Sequence, residues 1–162
     1  MKKLISLLLC LMMLAVAGFA CAESMEDLYD GVWKQIENGP KFYIPVEFQD
    51  LEVPEEYAAE GMIYLAATED GAYTCQIYWS LLEQPKEIEE LLADIQSIYP
   101  GSELIDLDNA AFVCYADMEA DVLGFAALSA VEQGMYQFLF TPASDEDMVT
   151  VASAIVASMT EE

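Results

Sequence analysis

Histidine and arginine are both missing from this chain, and each absence removes chemistry. Without an imidazole there is no Ser/His/Asp triad, no Cys/His pair and no histidine-held zinc or non-haem iron. Without a guanidinium there is no planar clamp for phosphate or carboxylate groups. Cysteine is scarce too: Cys10 and Cys21 lie near the N-terminus, and Cys75 and Cys114 are too few and too far apart for a thiolate cluster or a C-x-x-C redox pair. No cofactor is expected. Positive charge is the last shortage, with five lysines against 30 acidic residues and a formal net charge of −25. Nucleic acid and anionic lipid headgroups are held by cations that neutralise phosphate, so neither is expected as a partner. The charge reads as solubility outside the cell.

A hydrophobic run long enough to span a bilayer is also lacking. Lys2 and Lys3 precede an apolar stretch from Leu4 to Ala17, short of the about 20 residues that a crossing needs. A charged start, a short apolar core and small residues after it are the parts of a secretory signal. Ala20 and Ala22 occupy the two small positions of an A-x-A site, so residues 1–22 read as a signal peptide and residues 23–162 as one mature domain starting at Glu23. The expected product is secreted or extracytoplasmic and soluble, with no membrane insertion after cleavage. The alternative is lipidation of Cys21 and a lipid-anchored protein, which a branched aliphatic residue three places earlier would favour; Gly18 stands there. All 30 acidic residues and only Lys34, Lys41 and Lys86 follow the cleavage point.

In the mature part, Leu28, Val32 and Ile36 recur at intervals of four between Ser24 and the stop signal Asn38-Gly39-Pro40, which predicts a helix from about Met25 to Glu37. "KFYIPVEF" reads as an aromatic strand interrupted by Pro45, and "QDLEVPEEYAAEG" as a loop. "MIYLAAT" and "AYTCQIYW" flank the hairpin signal "EDG". Between Pro85 and Pro100-Gly101, Ile88, Leu91, Leu92, Ile95 and Ile98 share one helical face while Glu87, Glu90 and Asp94 fall off it. Then "SELIDLD", "AAFVCYADM", "VLGFAALSAV" and "MYQFLFT" predict an antiparallel meander. A terminal helix follows, opened by a capping box from Ser144 to Asp147 and carrying Met148, Val151, Ala152, Ile155 and Met159.

"MIYLAA" and "VLGFAALSAV" are apolar on both alternating faces, so both faces of their sheet must be covered. The expected fold class is α+β, an antiparallel sheet of about six strands sandwiched between helices. Residues 41–159 resemble the PsbP-like α/β/α sandwich family and its small secreted bacterial relatives. The residues that carry the resemblance are "FYIPVEF", "IEELLADI" and the close "GMYQFLFTPASDEDMVTVASAIVASM". The resemblance implies a fold used mainly for docking onto other proteins, and it transfers no functional residue.

Candidate sites are few. Asp106, Asp108, Asn109 and Asp117 imitate a calcium loop, but Ala110 and Ala111 stand where an oxygen ligand and a turn glycine belong, so a polar turn is the preferred reading. Asp117, Glu119 and Asp121 form a second acidic cluster, read as a solvated turn rather than a cation site. Tyr78 and Trp79 stack on a sugar, pack a partner or, as adjacent strand residues, split between the two faces. Cys75 and Cys114 have the arithmetic of one disulfide in an oxidising compartment; the other reading, slightly favoured, is two buried thiols. The functional expectation is a secreted non-catalytic protein that binds another protein or an envelope component through the sheet edge or the loops. The alternative is a small carboxylate-based extracellular hydrolase. A buried acid with a raised pKa inside a cleft favours the second, an exposed apolar patch the first.

Overall fold

Turn chemistry and strand propensity set most of the architecture. The computed structural model describes residues 29–37, 39–107 and 110–160. In chain order these form β1 (Gly31–Gln35), β2 (Lys41–Pro45), β3 (Phe48–Asp50), α1 (Glu55–Ala59), β4 (Met62–Thr68), β5 (Thr74–Leu81), α2 (Ile88–Ile98), β6 (Glu103–Asp106), β7 (Ala111–Asp117), β8 (Val122–Leu128), β9 (Gly134–Thr141) and α3 (Glu146–Ala157). The "EDG" turn joins β4 to β5, where Asp70 accepts hydrogen bonds from the Thr68 hydroxyl and the Ala72 amide. Seven strands form one antiparallel sheet in the spatial order β3-β4-β5-β9-β8-β7-β6, and β1 and β2 form a separate antiparallel pair. The chain thus lays down one meander, β3 to β5, and crosses through α2 to the far edge. A second meander, β6 to β9, then returns to close against β5.

Both faces of the sheet are buried, as the doubly apolar strands require. Along β7, Phe112 and Cys114 enter one core while Val113 and Tyr115 enter the other. On the first face, Phe125, Phe138 and Phe140 meet Met148, Val149, Ala152 and Ile155 of α3 and Phe42 and Ile44 of β2. On the second, Leu91 and Ile95 of α2 cover Val113, Tyr115 and Ala126. Each fully buried large side chain contributes about 1.5–3 kcal/mol relative to exposure, so the aromatic first face carries most of the packing energy. The helix α2 is held at its start by a reciprocal pair, the Glu87 carboxylate on the amide of Glu90 and the Glu90 carboxylate on the amide of Glu87.

Five expectations are corrected. The region expected as a helix to Glu37 contains β1, paired residue for residue with β2 from Gly31↔Pro45 to Gln35↔Lys41; the stretch 25–28 lies outside the described residues. "FYIPVEF" is two strands in different sheets, because the chain turns at Val46 and Glu47 after Pro45. The segment read as a loop holds the single-turn-and-a-half helix α1. Asp145, not Ser144, caps α3, accepting from the amides of Asp147 and Met148, and among the described residues the large sheet has seven strands where about six are expected.

Candidate functional site: the open edge of the sheet

The sequence-derived candidates do not converge. Cys75 on β5 and Cys114 on β7 are both buried thiols with β9 and β8 between them. Three strand spacings are about 14 Å, whereas a disulfide needs Cα atoms within about 7 Å, so the bridge considered from the sequence does not form within this sheet. Burial pushes both thiols well above the ordinary range, and at Cys114 the nearby Glu103 carboxylate adds to the effect. Cys21 lies outside the described residues, as do Asp108 and Asn109. Asp106 ends β6 and Asp117 ends β7, at opposite ends of the same hairpin, so they share no site. In the second acidic cluster the carboxylates of Asp117 and Asp121 are turned to the protein's own donors. Asp117 accepts from the amides of Glu119 and Ala120, both at 3.0 Å, and Asp121 accepts from the Ser144 amide at 2.8 Å and its hydroxyl at 3.0 Å. Among the described residues no group of three His, Cys, Asp or Glu side chains is placed to hold a metal ion. The Tyr78-Trp79 pair splits: Trp79 packs on Tyr136 with ring centroids 4.5 Å apart, and the Tyr78 hydroxyl donates to Gln76.

The described lysines are all engaged close to home. Lys34 meets Asp50 at 2.6 Å, Lys86 pairs with Asp94, and the Lys41 ammonium sits 5.1 Å from the Trp33 ring centroid. None of the described carboxylates is buried. Two have displaced pKa values, both downward. Partial desolvation works against ionisation of Asp50, but hydrogen bonds from Lys34 and Tyr64 and the charge of Lys34 outweigh it. Asp70 is held low by the Ala72 amide and the Thr68 hydroxyl. A general acid for glycoside cleavage requires the opposite displacement. No helix among the described residues is long and apolar enough to cross a membrane.

The remaining feature is an edge. The large sheet has two, β3 and β6. β3 is three residues long, and Asp50 at its end is tied to Lys34 of β1 and to the Tyr64 hydroxyl. Among the described residues β6 pairs with β7 alone. Just beyond β6, the Leu107 amide donates to Ala110 O at 3.0 Å, which fixes the phase of the ladder. With Ile105 opposite Phe112 and Glu103 opposite Cys114, the period of two turns the main-chain groups of Glu103 and Ile105 toward β7 and those of Leu104 and Asp106 outward. The Leu104 side chain stands opposite Val113, on the face covered by α2, and is 38% exposed; Ile98, at the end of α2, is 70% exposed. A shallow cleft of about 330 Å³ lies at the head of the strand, lined by Tyr99, Pro100, Gly101, Asp117, Met118 and Glu119 among others. Sequence reasoning named the sheet edge in general but not this strand. Its signal is faint: a four-residue strand directly after a helix stop, with no proline or lysine in it.

No family model matches the chain, and no curated protein matches it.

Proposed function

We propose that this is an exported, non-catalytic protein that binds another protein or an envelope component against the edge strand β6. The observation that carries the reading is the combination at that edge: outward main-chain groups at Leu104 and Asp106, flanked by the exposed apolar side chains of Leu104 and Ile98. In this reading the N-terminal segment is a signal peptide cut after Ala22, with lipidation of Cys21 as the alternative. The PsbP-like resemblance, with its implied docking role, agrees with a binding function. Asp50 and Asp70, both held toward the ionised form, do not suit the general-acid role that the alternative, a carboxylate-based hydrolase, needs.

Photo-crosslinking tests the proposal. A benzoylphenylalanine in place of Leu104, carried by the protein in its native envelope, is expected to give a discrete adduct with one partner. No adduct at that position overturns docking at β6. Release of sugar reducing ends by the purified protein, abolished in a single carboxylate variant, overturns the non-catalytic assignment.

A further inference from the structure

Resting on that reading of the β6 edge, we infer that its occupant is an extended segment of another protein with the pattern cation-apolar-apolar-cation, added to the sheet as an antiparallel strand. The main chain supplies the first half of the argument. Leu104 and Asp106 each turn an N–H and a C=O outward, so each exchanges a pair of hydrogen bonds with the residue opposite it on an added strand. The charge supplies the second. The edge carries Glu103 and Asp106 on a strand without a cation, in a chain of formal net charge −25. A second copy of this chain is thereby a poor occupant. Two β6 strands can meet only through their outward residues, with Leu104 opposite Leu104, Leu104 opposite Asp106 or Asp106 opposite Asp106; none of these offers a cation to Glu103 or Asp106, and each brings together two chains of formal net charge −25. The acids of the edge favour a cationic strand instead.

Register then sets the pattern. A residue opposite Leu104 lies on the α2 face, which Ile98 also borders, and gains most from an apolar side chain. Running antiparallel, the residue two places before it faces Asp106, the one just before it faces Ile105, and the one just after it faces Glu103. The preferred order is therefore cation opposite Asp106, apolar opposite Ile105, apolar opposite Leu104 and cation opposite Glu103.

The test uses two fluorescent peptides, Thr-Lys-Val-Leu-Lys-Thr and its counterpart Thr-Glu-Val-Leu-Glu-Thr, titrated with the full-chain protein at low and moderate salt. The lysine peptide is expected to bind, more weakly as salt rises, with the glutamate peptide at least about tenfold weaker. Leu104→Pro removes an outward N–H and no bond to β7, so it is expected to abolish binding with little change in melting temperature. In case that variant misfolds, the pair Glu103→Lys and Asp106→Lys keeps the edge and is expected to reverse the preference toward the glutamate peptide. Equal binding of both peptides, binding of neither, or an unchanged preference in the charge-reversed protein overturns the inference. If neither peptide binds while the adduct at position 104 persists, the binding function stands and the cationic pattern falls. Loss of the adduct removes both.

Discussion

Gly124 offers a sharp test of how the α2 face is packed. It lies directly opposite Tyr115 across the β8-β7 ladder, and a Cβ built there penetrates the Tyr115 ring; even Cε1, the third-nearest atom, is only 2.7 Å away. The ring has little freedom to move aside. It is 6% exposed, stacks on Tyr99 with centroids 4.9 Å apart and planes at 17°, and its hydroxyl accepts from Gln137 at 3.3 Å. Gly124 is not among the glycines with positive φ, so space rather than backbone conformation excludes a side chain. Gly124→Ala is therefore expected to cost about 1–3 kcal/mol by overpacking. Tyr115→Ala is expected to cost about 3 kcal/mol or more, as for other large aromatic truncations in a core. In the double variant the clash has no second partner. There the alanine at 124 becomes neutral or stabilises by up to about 1 kcal/mol, the ordinary advantage of alanine over glycine in a regular element. The coupling energy is then about 2 kcal/mol, well outside the additive range. Urea titrations followed by tryptophan fluorescence measure all four proteins of the cycle. Additivity within about 0.5 kcal/mol shows that Tyr115 does not lie over Gly124, and the stacked arrangement with Tyr99 loses its support.

The buried thiols of Cys75 and Cys114 are expected to ignore a thiol reagent in the native protein and both to react after denaturation without reductant; intact mass showing no added groups refutes their separation on β5 and β7. Asp121, at φ 57°, anchors the β7-β8 turn to Ser144. Asp121→Ala is expected to cost about 2 kcal/mol, since it loses those bonds and leaves alanine in the left-handed region, against under about 1 kcal/mol for Asp121→Asn; equal melting temperatures for the two variants refute this. Asp50 has a folded pKa below its ordinary value, so its contribution is present above that value and is lost as pH falls through the folded one. Because the Lys34-Asp50 pair is partly exposed, Asp50→Asn is expected to lower stability by under about 1 kcal/mol at pH 7, with the difference from the native protein closing below about pH 4. A difference that widens in acid refutes the sign.

The parts of the fold that were legible in the sequence are those where a local signal and the tertiary environment agree. Ile88, Leu91, Leu92 and Ile95 repeat at helical intervals, and that stripe meets the sheet. The doubly apolar "VLGFAALSAV" is buried on both sides as β8, although its last residues leave the strand for a turn. β1 failed because a spacing of four fits both periods: Val32 and Ile36 share a helix face, but they also share a strand face, since four is a multiple of two. Gly31 was the discriminating residue. A side chain there would meet the Tyr43 ring at 2.6 Å, and the Gly31 amide donates to the Tyr43 hydroxyl at 2.9 Å, so the glycine marks a cross-strand approach that no pattern within residues 25–37 reveals. The β5-β9 pairing failed to register for a different reason. It joins segments about 60 residues apart, and nothing in either strand's alternation names its neighbour. The candidate site has the same blind spot. "SELIDLD" announces a strand, but whether a strand is interior or edge depends on the order of all seven. Only that order places Leu104 and Asp106 with their main-chain groups facing outward, and the docking proposal rests on it.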